Sequence, residues 1–395
     1  MKKIFSTLTS NLSTLTSNLS TLTLILVLNS CIEPPLRLPG ETVMVDVPIV
    51  LTEMEVVWNV DVDWKTQWYY GWDTIDESLW GKIEYPKPTS YEVRRYYLGN
   101  TPHKPHTEVD AFSINETHFR RYYNFGYYDL LIWSDIDSEE GVQSVVINEE
   151  NLDEVTATTS GTRGMSNIVT RSDEEVTAGL YNQPEIFYST YPRDVYISRN
   201  FDDYDYYDEV EMVWVKKINA TLNPLVYYYL VQIIIYNNDG RITGVNGNNA
   251  ISGFASSTSV NTGHTSNSPG MIYFESRMKQ GIDVNGRSAD IIGGKLTTFG
   301  LCGMERWEKG SSPIYNGSRK DLKNSLFFDL TFNNGKEKTF EVDVTEQCQK
   351  QCHGGVITVV LDANDIDIPS SDDGPGSLFV PTVEDYDEVI WEVTI

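Results

Sequence analysis

Few side chains in this sequence are placed to do chemistry, and the first is Cys31. It closes the run Leu24-Ile25-Leu26-Val27-Leu28-Asn29-Ser30-Cys31, which follows a positive start at Met1-Lys2-Lys3. An aliphatic residue three before a cysteine (Leu28) and a small one just before it (Ser30) mark a bacterial lipoprotein signal, with Asn29 a less usual middle residue. The expected chemistry is diacylation of the Cys31 thiol and cleavage before it. The resulting anchor gains about 0.8 kcal/mol per buried CH₂. The competing readings are an ordinary signal peptide with an incidental cysteine, or an uncleaved anchor helix. The apolar run is far shorter than the ~20 residues a membrane span needs.

Three further cysteines, Cys302, Cys348 and Cys352, are an odd number and cannot all pair within one chain. Together with His353 they have the atoms for a three-sulfur, one-nitrogen zinc site. The spacing is not that of a usual zinc knuckle, and an exported protein meets oxidising conditions. On a helix the Cβ atoms of Cys348 and Cys352 would sit ~5–6 Å apart, whereas a disulfide wants roughly 3.5–4.5 Å. The expected bridge therefore joins Cys302 to Cys348 or Cys352, with free buried thiols as the alternative. His103 and His106 lie close together but have no acidic partner beside them, so a solvated loop is expected there. Asp362-Ala363-Asn364-Asp365-Ile366-Asp367 offers oxygens but lacks the glycine and distal glutamate of a calcium loop.

No Gly-x-Ser-x-Gly elbow occurs, the five histidines are scattered, and carboxylates are too many to single out an acid/base pair. No catalysis, metal or cofactor is expected. The rings of Gln67-Trp68-Tyr69-Tyr70-Gly71-Trp72 are able to stack on sugars through Trp68 and Trp72, while packing in a core is the competing role.

The 395 residues carry a net charge of −27. Removing the leader takes away two lysines and no acid, which leaves residues 31–395 at −29. Such a surface repels phosphate backbones, so nucleic acid is excluded as a partner, and acyl chains must supply any membrane link. Aromatics reach 12%, with 24 tyrosines, and no long helical periodicity appears. That is the composition of a β-rich exported protein.

The elements follow from alternation. Residues 6–26 repeat a seven-residue unit within the leader, and 33–40 form a proline-rich tether. Strands are expected at Val43–Val47, Val56–Trp64, Tyr127–Trp133, Ile186–Tyr188 and Val195–Ile197. Residues 156–174, holding Arg163 and Arg171, read as a polar loop. The acidic, aromatic run Phe201–Glu209 places a domain boundary near 208. Leu225–Tyr236 is apolar throughout and twelve residues long, a buried strand rather than a span. A polar loop is expected over 243–270. Strands recur at 271–275, 295–301, 325–332, 338–344 and 356–361. One short helix within Asp343–His353 would stop at Gly354. The chain ends on alternating Val389, Trp391, Val393 and Ile395. The sum is an all-β protein of two antiparallel sandwiches with Greek-key connections: leader 1–30, lipidated tether 31–40, domains 41–208 and 209–395.

Five motifs in order carry a family resemblance: Tyr127–Trp133 followed by Ser134-Asp135, Ala220–Tyr236, Gly294–Gly300, Lys338–Thr345, and the acidic loop leading into Glu388–Val393. In that order they resemble the fimbrillin-like lipoproteins of Bacteroides and relatives, nearest to a branch known only as a domain of unknown function. The resemblance implies transthyretin-like sandwiches, export as a lipid-anchored outer-membrane protein at the cell surface, and strand exchange with other pilin-like subunits. It implies no catalysis. Pilins of this kind are cut by an arginine-specific protease, which frees a groove, whereas anchors stay uncut. Arg37, crowded by Pro34, Pro35 and Pro39, is the candidate processing site. Asp73-Thr74-Ile75 fits the phylum's O-glycosylation sequence, which points to Thr74. The strand Val389–Ile395 would complete its own domain or be donated to a neighbour, with self-completion the cheaper arrangement for a monomer. The expected role is a structural or adhesive component (subunit, anchor or tip) of a pilus-like fibre. The alternative is a stand-alone glycan-binding lipoprotein of a polysaccharide uptake system, with Trp68 and Trp72 meeting host or bacterial glycans.

Overall fold

The computed structural model describes residues 43–52, 67–71, 87–103, 107–135, 144–148, 151–161 and 180–370. Its first strands are β1 (Val43–Leu51), β2 (Tyr91–Gly99), β3 (Thr107–Ile114), β4 (His118–Tyr123) and β5 (Gly126–Ser134). Shorter ones follow: β6 (Ser144–Ile147), β7 (Thr156–Thr159), β8 (Leu180–Tyr181), β9 (Tyr188–Thr190) and β10 (Val195–Ile197). Then come β11 (Tyr206–Asp208), β12 (Val213–Lys217), β13 (Ala220–Pro224), β14 (Tyr227–Tyr236) and β15 (Ile242–Ala255). The remainder are β16 (Ser257–Ser259), β17 (Pro269–Phe274), β18 (Ser276–Val284), β19 (Arg287–Thr298), β20 (Ser325–Phe332), β21 (Glu337–Asp343) and β22 (Gly355–Asp362). Between β21 and β22 lies α1 (Thr345–Lys350).

The described residues form two compact units. The smaller comprises β1 up to Asp46 together with Arg120–Phe125 and Ile197–Lys217. There β12 pairs antiparallel with β11 and parallel with the start of β1. The acidic run Phe201–Glu209 is ordered around its aromatics: Phe201 stacks on Trp214 at 5.7 Å, and Tyr207 meets the same ring edge-on at 5.3 Å. Arg120 bridges Asp208 at 2.9 Å and Glu211 at 3.5 Å, holding Asp208 below the usual carboxylate range.

The larger unit holds the rest. The end of β1 pairs parallel with β13, and the sheet continues through β9, β5 and β2 to β3. β5 is buried along nearly its whole length, as its apolar run requires. Its Leu131 and Trp133 pack with Val155, Ala157, Phe187, Leu225, Val226, Val260 and Phe299. A small sheet, β6-β7-β16, contributes to this core.

Beyond β14 the strands form a sandwich. One sheet is ordered β18-β19-β14-β22, the other β21-β20-β15-β17-β8. Alternate residues of β14 (Tyr227, Tyr229, Val231, Ile233, Ile235) face Ile251, Phe254, Leu326, Phe328, Leu330, Phe340 and Val342 of the opposite sheet. Phe328 and Phe340 stack at 5.4 Å across β20 and β21.

Two expectations are corrected. The sheets are not wholly antiparallel: β1–β12, β1–β13, β14–β22 and β17–β8 are parallel ladders. A strand buried on both faces, such as β14, suits a parallel neighbour, and continuous apolar runs are the sign of it. The expected loop over 243–270 contains most of β15, the longest strand among the described residues. Its asparagines and glycines hid it, and its register to β20 shifts twice along that polar stretch. The helix within Asp343–His353 forms as α1, and Gly354 follows it with φ +99°.

Candidate functional site

Sequence singled out aromatic rings, thiols and a terminal strand, and the larger unit places the first two in the C-terminal sandwich. The outer face of the β14 sheet is covered by residues 67–71. Trp68 and Tyr70 pack there against Tyr228, Leu230, Ile234, Val284, Ala289, Ile291 and Val356. The clasp is Gln232, a lone polar residue within β14 and fully buried. Its Oε1 accepts from Tyr69 N at 3.0 Å, and its Nε2 donates to Gln67 O at 2.6 Å and Thr358 Oγ1 at 3.0 Å. Opposite it in the ladder stands Gly293. A Cβ there would lie 2.4 Å from the Tyr70 ring, so only glycine lets that ring lie on the sheet. Trp68 is 5% exposed, and its Nε1 donates to Gly71 O at 3.0 Å. Its ring faces are taken by protein, so of the two roles open to it, sugar stacking and core packing, Trp68 takes core packing.

The three thiols are all free and buried, and the expected bridge from Cys302 is not made. Cys302 Sγ lies 3.6 Å from Gly253 O, and Cys352 Sγ lies 3.5 Å from His353 Nδ1. Cys302 and Cys352 thus each have a local partner, and Cys348 is packed in the apolar core. Burial pushes the Cys302 and Cys352 thiols up to about 12 and raises Cys348 further. Burial also pushes the His353 imidazole down to about 4. A nucleophilic Cys–His pair needs thiolate and imidazolium, the reverse of this balance. Among the described residues no three metal-ligating side chains converge. Iodoacetamide should label none of the three thiols in the folded protein and all three after denaturation. A crosslink in peptides mapped without reductant would overturn this assignment.

His103 pairs with Asp194 (3.0 Å) in solvent. Asp362 caps the 3-10 turn Ala363–Asp365 by accepting from Asn364 N at 2.9 Å, so its carboxylate has a structural task. A groove of about 710 Å³ opens between Arg94, Glu108, Asn148, Asn151 and Glu154. The Arg94 guanidinium lies over the Trp133 ring at 5.1 Å and reaches Glu92 at 3.0 Å. Sequence alone did not single out this groove, because its members come from three separate segments. Cys31, Arg37, Val56–Trp64, Trp72, Thr74, His106, Arg163, Arg171 and the strand with Val389, Trp391, Val393 and Ile395 lie outside the described residues. No helix among the described residues is long and apolar enough to cross a membrane.

No protein-family model matches the sequence, and no curated protein does. Solved structures do resemble it. A candidate adhesin from Bacteroides ovatus aligns over 84% of this chain and 95% of its own, at 14% identity and a TM-score of 0.43. A candidate adhesin from Bacteroides thetaiotaomicron aligns over 82% and 94%, at 10% identity and a TM-score of 0.42. The fimbrial anchor protein Mfa2 from Porphyromonas gingivalis aligns over 81% and 91%, at 12% identity and a TM-score of 0.35. The chain is thus similar, over about four fifths of its length, to adhesin-class and fimbrial proteins of these genera.

Proposed function

We propose that this chain is a non-catalytic, lipid-anchored surface protein that takes the anchoring place in a pilus-like adhesive fibre and meets other subunits by strand exchange. Two transthyretin-like Greek-key sandwiches belong to the same reading. The observation that carries it is the position of β1. This strand begins at Val43, after Arg37, and pairs with β12, β13 and β4. A cut at Arg37 would leave it in place and free no groove. The next arginine is Arg94, within β2, which is paired to β3 on one side and β5 on the other. An arginine-specific protease therefore has no exposed linker at which to release β1, which suits an uncut anchor rather than a polymerising pilin.

Intact mass of the protein from membranes tests this. The expected product begins at lipidated Cys31, Arg37→Ala leaves its mass pattern and fibre content unchanged, and Cys31→Ala releases it from the membrane fraction. A mature chain beginning at Leu38 would sink the anchoring role. The competing reading, a stand-alone glycan-binding lipoprotein, now draws support from the polar groove at Arg94 rather than from Trp68, since amide and carboxylate side chains suit sugar hydroxyls.

A further inference from the structure

Backbone groups alternate direction along a strand, so in β22 the residues turned away from β14 are Val356, Thr358 and Val360. The first two already have partners. Gln351 Oε1 accepts from Val356 N at 2.8 Å while its Nε2 donates to Val356 O at 3.0 Å. Gln347 repeats the pattern at Thr358, with 2.8 Å to the N–H and 2.9 Å to the carbonyl. A carboxamide carries the same donor and acceptor as a peptide group. Each glutamine therefore stands where the backbone of an added strand would stand. Gln347 lies in α1 and Gln351 is its C-cap, one turn further on, a spacing that in a helix corresponds to ~5–6 Å. That is close to the ~6.6 Å between alternate residues of a strand. Gly355 makes room for the contact, since a Cβ there would lie 2.0 Å from Gln351 Oε1.

The other edges of this sandwich have ordinary defences against strand addition. β18 carries Arg277 and Lys279 and bulges between Lys279 and Ile282. β21 carries Glu337, Lys338 and Glu341, and β8 is two residues long. β22 has no bulge, no proline and no charge before Asp362. Among the described edges of this sandwich, the glutamines occupy the one that lacks every other protection.

We propose that Gln347 and Gln351 are edge guards that keep β22 from pairing with β22 of a second copy of this chain. The same edge on both copies makes an isologous, antiparallel contact possible once the guards are gone. This holds whether or not the chain joins a fibre.

The test uses the purified full chain and the Gln347→Ala/Gln351→Ala variant, read by amide exchange and by sedimentation. In the double variant the Val356 and Thr358 amides should exchange about tenfold faster or more, and a concentration-dependent dimer should appear that the parent does not form. Adding Val360→Pro, which removes an outward N–H without touching the β14 ladder, should return it to monomer. Gly355→Ala displaces Gln351 alone and should loosen Val356 but not Thr358, which keeps the idea testable if the double variant does not fold. Unchanged exchange in the double variant overturns the guard role. So does fast exchange in a variant that stays monomeric, or a dimer that Val360→Pro does not disrupt.

Discussion

Gln232→Ala should lower stability by about 3 kcal/mol or more and shift tryptophan emission to the red. The size follows from what is stranded. The amide of Gln232 serves Gln67 O and the N–H groups of Tyr69 and Tyr70, all under the aromatic cover. A buried polar group left without its partner costs ~1–3 kcal/mol, and the truncation also opens a void beside Thr358. The spectral change follows from Trp68, which sits 5.5 Å from Tyr70 and loses its dry setting once 67–71 lifts from the sheet. Urea unfolding of parent and variant, followed by fluorescence, checks both parts. An unchanged midpoint would mean that apolar contacts alone hold the segment. Gly293→Val attacks the same docking from the Tyr70 side and should move emission in the same direction.

Acidification from pH 6.5 to pH 4 should destabilise the fold by about 3 kcal/mol through His353 alone. The folded imidazole sits at about 4 because burial removes its hydration. The ordinary value is about 6.5, and each unit of difference is 1.36 kcal/mol. Between these values the unfolded chain binds a proton that the folded chain refuses, so stability rises with pH across the window. The benefit of keeping His353 neutral is fully present above pH 6.5 and is lost as pH falls toward 4. Below that the folded state takes the proton as well, and this contribution levels off. His353 packs edge-on against the Tyr227 ring at 5.2 Å, with Cys352 Sγ beside Nδ1. Tyr227 OH in turn accepts from Trp307 N at 2.9 Å, so a charge on His353 would enter the middle of the core. Unfolding free energy measured at both pH values for the parent and for His353→Phe checks this. The variant should lose about 3 kcal/mol of pH dependence, and equal slopes would remove His353 as the cause.

Much of the fold is legible in the residues themselves. The apolar run Leu225–Tyr236 admits only a strand buried on both faces, and it is the centre of the sandwich. The strands near 325–332 and 338–344, and the short helix within 343–353, also follow from local pattern, although that helix is capped at Gln351 and not at Gly354. Local signals work there because backbone geometry and side-chain alternation are set by neighbours two to four residues away.

Pairing is not local, and the sequence by itself left it open. Only the tertiary structure decided that β22 enters parallel to β14 from far along the chain, and that β1 lies alongside β12 and β13. It alone decided between sugar stacking and core packing for Trp68, because Gln232 and Gly293, distant in sequence, make a seat for residues 67–71. It left Cys302 free of Cys348 and Cys352, where helix spacing and an oxidising compartment had suggested a bridge. Spacing along a chain constrains what residues can touch within one element. Contacts between elements depend on which faces are buried together, and that is a property of the assembled core.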